Sequence, residues 1–299
     1  MTFVTRFAPS PTGPLHLGHA YSAILAHDMA IDNDGTFLLR LEDIDQSRAR
    51  LEWETQIYDD LTWLGLSWQT PVRRQSDHLP LYQQFIDHLW QDGLLYKCTC
   101  SRADIRAALS APQEGAAIHG PDGPVYPGTC RDAEFNKIHS PNAPDAHHLR
   151  LNMAHASHAL RNLGRADDLG FRETGSGPDG QTGWIAIDLD ALNETVGDVI
   201  IARRDMGTSY HLSVVIDDMA QGITHIVRGS DLFEATYIHV ILQRLLNLPT
   251  PSYHHHRLIR DDMGKRLAKR DDARAISKYR DEGKSPEDIR AMVGLPSLI

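Results

Sequence analysis

The run Arg6-Phe-Ala-Pro-Ser-Pro-Thr-Gly-Pro-Leu-His-Leu-Gly-His19 carries the chain from a strand, through a turn, into a helix. Thr2–Phe7 reads as a short strand. Pro9, Pro11, Gly13 and Pro14 exclude regular structure directly after it, and Ala20–Ala30 reads as a helix. A Gly/Pro turn that feeds a helix N-terminus makes an anion site, because unpaired N–H groups and the positive end of the helix dipole point at the ligand. His16 and His19 can donate hydrogen bonds to phosphate oxygens there. Gly18 lets a flat ligand approach the backbone.

Outward from this run the chain alternates strands and helices. Thr36–Leu41 reads as a buried strand ending at Glu42-Asp-Ile-Asp45. Leu51–Leu64 reads as a helix with Trp53, Ile57, Leu61 and Leu64 on one face. Tyr82, Phe85, Ile86, Leu89 and Trp90 mark another, closed by Gly93. Residues 96 to about 185 hold all three cysteines, many Gly and Pro residues and weak periodicity, and read as an insertion between two halves of an α/β core. Asp198–Arg203 and Ile223–Arg228 return as strands with a helix over Tyr210–Met219 between them. Asp231–Leu246 is a strong helix with Ser230 as its N-cap. From Leu258 the chain is basic and then helical. The alternation predicts a parallel sheet with helices on both faces, divided as a first core half (1–95), an insertion (96–185), a second core half (186–250) and a basic, helical segment (251–299).

Bulk composition narrows the function classes. The 299 residues are 41% hydrophobic and 23% charged, ordinary for a globular protein with a real core. The apolar runs are too short to span a bilayer, and Met1-Thr-Phe-Val-Thr-Arg has no apolar leader core, so a cytoplasmic protein without a membrane partner is expected. A formal net charge of −10 argues against blanket electrostatic binding to nucleic acid. Any RNA contact needs a local basic patch, and Arg257, Arg260, Lys265, Arg266, Lys269, Arg270, Arg274 and Lys278 supply one. Cys98, Cys100 and Cys130 suit a tetrahedral Zn²⁺ bound by thiolates. They leave a fourth ligand unnamed, with Tyr126 and His119 nearby.

The Arg6–His19 run resembles the first signature of class I aminoacyl-tRNA synthetases in its glutamyl form. Gly264-Lys-Arg-Leu-Ala-Lys-Arg-Asp271 resembles the lysine-rich loop that closes those enzymes over ATP. Arg266 stands in place of its first lysine and Ala268 in place of its serine, while Lys269 is kept. The resemblance implies an α/β fold: a class I synthetase Rossmann-like parallel sheet with a zinc-bearing insertion and a C-terminal helical, stem-contact-like segment. It implies ATP held at His16, Gly18, His19 and Lys269, with His16, His19 and Lys269 stabilising the charge that builds as pyrophosphate leaves and Mg²⁺ bridging the phosphates. It places L-glutamate at Arg6, Phe7, Ala8, Pro9, Ser10, Glu42, Tyr210 and Arg228. Glu42, helped by Tyr210, would hold the ammonium, and the two arginines would hold the carboxylates, in an order the sequence does not fix. Glutamine is disfavoured because a neutral amide leaves an arginine uncompensated.

Tyr126-Pro-Gly-Thr-Cys130 resembles the tyrosine-bearing zinc motif of short glutamyl-synthetase-like enzymes. It implies one structural Zn²⁺ on Cys98, Cys100, Tyr126 and Cys130, with His119 the reserve for Tyr126. Pro14-Leu-His-Leu-Gly-His-Ala-Tyr-Ser22 and Arg228-Gly-Ser-Asp-Leu232 are similar to the same short family. The likeness runs from residue 3 to about 280, and the chain stops at Ile299, where full-length glutamyl enzymes continue into an anticodon-binding domain. The short family activates glutamate with ATP without tRNA and esterifies the queuosine at the anticodon wobble position of tRNA(Asp). The expectation is that activity, in a monomer. Three alternatives stay open: charging of the tRNA 3′ end, a tRNA-binding paralogue without catalysis, and another nucleotidyltransferase built on the same His16–His19 turn.

Overall fold

The computed structural model describes residues 2–109, 119–136, 140–259 and 274–297. The first part contains β1 (Val4–Phe7), α1 (Leu17–Asp32), β2 (Thr36–Leu41), α2 (Leu51–Trp63), β3 (Arg73–Arg74), α3 (Leu79–Gln91), β4 (Leu95–Cys98) and α4 (Arg102–Leu109). The middle contains β5 (His119–Gly120), β6 (Gly123–Pro124), β7 (His148–Leu151), α5 (Met153–Asn162), β8 (Gly170–Glu173), β9 (Gly183–Ala186) and α6 (Leu189–Thr195). Then follow β10 (Ile200–Ala202), α7 (Tyr210–Ala220), β11 (His225–Gly229), α8 (Ala235–Leu245), β12 (Ser252–His256), α9 (Ile276–Asp281) and α10 (Pro286–Val293). Among the described residues no helix is long and apolar enough to cross a membrane.

Strands β1, β2 and β3 are parallel, with Arg6 opposite Leu38 and Arg40 opposite Arg73. Strands β11, β12 and β8 are also parallel, with Arg228 opposite His255 and Tyr253 opposite Glu173, and β9 closes that edge antiparallel. The two sheets meet edge to edge where Thr224 N donates to Val4 O at 3.0 Å and Val4 N donates to Thr224 Oγ1 at 2.8 Å. The spatial order is therefore β3-β2-β1-β11-β12-β8-β9. From β1 the chain winds one way through α1 to β2; from β11 it winds the other way through α8 to β12. Such a reversal opens a crevice beyond the carboxyl ends of the two central strands.

Side-chain alternation along the strands separates two layers. Thr5 Oγ1 donates to Ala26 O of α1 at 2.8 Å, whereas Arg6, next along, reaches Asp218 of α7 on the other face. Ala20, Ile24, Leu39, Leu41, Ile57 and Ile289 form the core on the α1 side, and Tyr82, Phe171, Leu212, Ile216, Ile238 and Tyr253 belong to the core that includes α3, α7 and α8. Gly93, at φ +69°, ends α3 as its sequence predicts.

Two local expectations change. Asp198–Arg203 reads as a strand of the parallel sheet, yet β10 runs antiparallel to β7, which pairs antiparallel with β4 in a separate sheet. Asp198 sets that direction: it accepts from Tyr96 Oη at 2.6 Å, Arg131 Nη2 at 2.8 Å and Met153 N at 2.9 Å, all outside the central sheet. Ser230 does not cap α8. Residues Ser230–Leu232 form a 3₁₀ turn and α8 begins at Ala235. The turn delivers Phe233 into the core, with its ring 5.7 Å from that of Phe171. Of the stretch 96–185, β8 and β9 lie in the central sheet, and β12 lies between β11 and β8.

The α7 face of the sheet holds an ion network. Arg40, fully buried, donates to Asp218 at 2.7 Å, Gln221 at 3.0 Å and Glu42 at 3.1 Å. Arg6 Nε donates to the same Asp218 at 3.0 Å. Asp217 accepts from Arg73 Nε at 2.7 Å, Gln75 Nε2 at 2.9 Å and Tyr82 Oη at 2.9 Å. Burial by itself raises the Asp218 carboxyl; Arg6 and Arg40 reverse that and hold it below the usual carboxylate range. Removing one partner of such a set strands the others in low dielectric. Arg40→Met should lower stability by about 3–5 kcal/mol. Arg161→Ala, which breaks an exposed pair with Asp190, should cost about 0–1 kcal/mol. Urea denaturation of the two variants checks the contrast.

Candidate active site

The helix start predicted at His16–His19 is built by the histidines themselves. His16 is the N-cap of α1: its Nδ1 accepts from Gly18 N at 3.1 Å, and His19 Nδ1 accepts from His16 N at 3.1 Å. With both Nδ1 atoms accepting, the neutral rings carry their protons on Nε2, the donor a phosphate oxygen would meet. The rings lie 3.8 Å apart between centroids. Gly18 has a steric reason to be glycine, since a Cβ there would stand 3.0 Å from His16 Cε1.

Two adjoining cavities open at the crevice between β1 and β11. One, of about 170 Å³, is lined by His16, Gly18, His19, Ser22, Gly229, Asp231, His256, Leu258 and Ile259. The other, of about 410 Å³, is lined by Arg6, Phe7, Ala8, Ser22, Glu42, Tyr210, Val227, Arg228, Gly229 and Leu232. Ser22 and Gly229 line both. A Cβ on Gly229 at this junction would stand 2.4 Å from Asp231 Oδ1 and 3.0 Å from Leu258 Cδ2, so a side chain there would displace the Asp231 carboxylate. The larger cavity brings together six of the eight residues expected to hold an amino acid. Pro9 and Ser10 are not in its lining; Pro9 O instead accepts from Glu42 N at 3.0 Å, which fixes Glu42 at the end of β2.

The charged groups of the larger cavity are held from behind. Arg6 is anchored on Asp218. Arg228 Nε donates to His255 Nε2 at 3.1 Å and its Nη2 to Thr236 Oγ1 at 2.6 Å. Burial raises the Glu42 carboxyl, opposed by Arg40 and Arg6; a cationic ligand group beside it would favour its ionised form. The floor thus offers two guanidinium groups, one carboxylate and the Tyr210 phenol, a set complementary to a dicarboxylic amino acid.

Lys269 and most of the basic run, Arg260, Lys265, Arg266 and Arg270 included, lie outside the described residues. The residues on either side do not: Ile259 lines the smaller cavity, and Ala275 makes a β-bridge with His16 while Ile276 N donates to Leu15 O at 2.9 Å. Of the other basic residues, Arg257 donates to Val293 O at 2.6 Å and Arg274 pairs with Glu282, so two cations of the predicted RNA patch serve the C-terminal helices.

The cysteine cluster assembles. The Sγ atoms of Cys98, Cys100 and Cys130 lie within 4.8 Å of one another. Tyr126 Oη lies 3.6 Å from Cys98 Sγ and 3.4 Å from Cys100 Sγ, and Cys100 Sγ is 3.4 Å from Cys130 Sγ. Thiolates at about 2.3 Å from a tetrahedral Zn²⁺ stand about 3.8 Å apart, so these four donors fit a metal ion. His119, exposed on β5, is not in the group. Arg150, buried, puts Nε 3.3 Å from Cys98 Sγ and its guanidinium 3.8 Å over the Tyr126 ring, a cation that offsets the charge of an anionic donor set. Burial pushes the Cys130 thiol up, but hydrogen bonds from Tyr126 and Thr99 more than offset it and leave it at about 7.

With this geometry in place, comparison with known proteins is decisive. Residues 2–164 and 176–297 match the family described as tRNA synthetases class I (E and Q), catalytic domain. The chain belongs to this family. It is 60% identical over 292 residues to the glutamyl-Q tRNA(Asp) synthetase of Rhodobacter capsulatus, covering 98% of this chain and all of the relative. It is 38% identical to the glutamyl-Q tRNA(Asp) synthetase of Nocardia farcinica, covering 97% of this chain and 85% of that one. The crystal structure of a glutamate-tRNA synthetase from Elizabethkingia anophelis superposes with a TM-score of 0.71 at 22% identity, over 98% of this chain and 61% of that one. This class I synthetase domain thus spans about three fifths of that longer structure and shares its fold.

Several residues of this synthetase site carry no mark in a motif. Arg40 and Asp218 support Arg6 and Glu42, and an acidic pair inside the apolar run Leu212–Met219 is the signal that could have found Asp217 and Asp218. His256 lines the smaller cavity, where its Nε2 meets Ser22 Oγ at 2.6 Å and its Nδ1 meets Arg257 O at 2.8 Å. The run Tyr253-His-His-His256 on an interior strand was the available hint.

These histidines make stability depend on pH. Burial lowers the pKa of His225, His239, His254, His255 and His256, the last to about 4. Unfolded, each takes a proton near pH ~6.5; folded, each holds out to lower pH. The unfolded state therefore binds more protons below that value, and stability falls as the solution is acidified. Asp60, whose carboxyl burial raises to about 6, works in the opposite sense for one proton. Urea midpoints at pH 7.5 and 5.5 should show a clear loss at the lower pH.

Proposed function

We propose that the protein activates L-glutamate with ATP, without tRNA, and transfers it to the queuosine at the wobble position of the tRNA(Asp) anticodon. The observation that carries this reading is the pair of cavities joined at Ser22 and Gly229, one under the His16–His19 helix start, the other floored by Arg6, Glu42, Tyr210 and Arg228. The relative from Rhodobacter capsulatus, matched over its whole length, supports the RNA substrate.

In the first step the glutamate α-carboxylate attacks the α-phosphorus of ATP, a mixed anhydride forms, and pyrophosphate leaves. Across the shared wall the two substrates would sit side by side, so alignment supplies much of the rate. The Nε2–H groups of His16 and His19 donate to phosphate oxygens, and Lys269 neutralises charge on the departing pyrophosphate; its loop replaces a serine by Ala268, which removes a hydroxyl but not the cation. Bound Mg²⁺ would share the phosphate charge. Glu42 and Tyr210 hold the ammonium, and Arg6 and Arg228 hold the two carboxylates. In the second step a hydroxyl of the queuosine diol attacks the carbonyl of the glutamyl-adenylate and AMP leaves.

We assign one structural zinc to Cys98, Cys100, Tyr126 and Cys130, where it would pin the segment that follows β4. Metal analysis should return one zinc per chain. Tyr126→Phe should weaken its retention against a chelator by about tenfold or more, and His119→Ala should not.

The test of function is glutamate-dependent ATP–pyrophosphate exchange without tRNA, followed by transfer of labelled glutamate to tRNA(Asp) with and without queuosine. Exchange should proceed without RNA, and transfer should require the modified base. Lys269→Ala should slow exchange by about 100-fold. Labelling of an intact 3′ end, or equal transfer to both tRNAs, overturns the RNA assignment. Absence of exchange overturns the enzymatic one.

A further inference from the structure

Behind Arg228 a line of side chains runs from the cavity to the surface. Arg228 Nη1 lies 3.1 Å from His239 Nδ1, His239 Nε2 lies 3.1 Å from His211 Nδ1, and His211 Nε2 lies 3.0 Å from both oxygens of Asp122. Arg228, His239 and His211 are buried, and Asp122 is about half exposed (49%). On the other side of the guanidinium, His255 Nε2 accepts from Arg228 Nε, and His255 Nδ1 meets Glu173 Oε2 at 2.5 Å.

The chemistry of arginine fixes every proton in this line. A guanidinium only donates, so His239 Nδ1 accepts and its proton sits on Nε2. That proton goes to His211 Nδ1, which places the His211 proton on Nε2, facing the Asp122 carboxylate. His255 follows the same logic toward Glu173. His239 and His255 thus turn their lone pairs to the arginine, and each line ends with an N–H facing a carboxylate, His211 Nε2 to Asp122 and His255 Nδ1 to Glu173. With Thr236 these contacts use three of the five guanidinium N–H groups and fix its plane at the cavity wall.

Asp122 does not belong to the parallel core. It sits in the two-residue turn between β5 and β6, four residues before Tyr126 of the cysteine cluster. Two close approaches hold this hairpin: a Cβ on Gly120 would stand 2.6 Å from Thr195 O, and one on Gly197 would stand 2.6 Å from Val125 Cγ1.

We propose that Asp122 is a positioning residue for Arg228, acting through His211 and His239, and that it sets the affinity of the cavity for its amino-acid carboxylate. The proposal rests on Arg228 as a carboxylate-binding residue of the function given above. It links the segment that carries the cysteines to substrate affinity by an unbroken chain of hydrogen bonds. A preset guanidinium loses less freedom when it pairs with a carboxylate.

The test is ATP–pyrophosphate exchange without tRNA, with the Michaelis constants for glutamate and ATP measured separately. Asp122→Leu removes the acceptor and should raise the glutamate KM by about tenfold, acting through KM rather than kcat, with the ATP KM within about twofold of wild type by the same reasoning. Asp122→Asn keeps an acceptor and should show a smaller rise. His239→Gln can accept from Arg228 and donate to His211, so it should stay near wild type, whereas His239→Leu should match or exceed Asp122→Leu. A packing role predicts the reverse order, Leu tolerated and Gln not. An unchanged glutamate KM in Asp122→Leu, or equal rises for both substrates, overturns the proposal while leaving the function intact. A wild-type protein without glutamate-dependent exchange overturns both.

Discussion

The carboxylate of Asp218 is the point on which the site depends. It projects from α7 onto the sheet and takes Arg6 from β1 and Arg40 from β2. Arg40 in turn holds Glu42. One buried anion therefore fixes a cation and an anion of the larger cavity against each other, with α7 also supplying Tyr210 at its first turn. Charges in a low-dielectric interior are tolerated only in such closed sets, and closure is also what preorganises a polar pocket. The arrangement is stiff because Asp217 and Asp218 on α7 each accept from side chains of more than one other element.

The smaller cavity is organised by a different principle. It is bounded by a helix start capped by its own histidines and by Gly229 at the end of β11. Glycine at two of its walls leaves room for close neighbours, the His16 ring and the Asp231 carboxylate. The adjoining cavities therefore differ in kind. One presents the His16 and His19 imidazoles; the other presents two guanidinium groups and a carboxylate.

Many of the cavity-lining residues and the cysteine cluster were legible in the chain. The His16–His19 run, Glu42 at a strand end, Arg228 before a glycine and the Cys98, Cys100, Cys130 spacing each pair a residue type with a local backbone feature. The supporting residues were not. Arg40, Asp218, His211, His239 and His255 act through contacts made across the sheet, and nothing in their neighbours specifies which partner they meet. The same limit explains β10, whose apolar run fits a central strand but whose direction is set by Asp198, and Ser230, a good capping residue displaced by the need to bury Phe233. Local propensity yields where a tertiary partner is stronger.

The seam between β1 and β11 joins the second strand edge of a chain to one made more than two hundred residues later; Val4 and Thr224 are separated by 220 positions. A chain emerging from the ribosome therefore presents β1 and β2 long before their neighbour exists, with Arg6 and Arg40 lacking Asp218 and one edge of β1 open. Contacts of such high sequence separation slow folding, and an uncovered strand edge invites pairing with other chains. The complete site arrives late in synthesis, and a nascent polypeptide interrupted before α7 would own the His16–His19 turn but not the Tyr210 and Arg228 walls of the larger cavity.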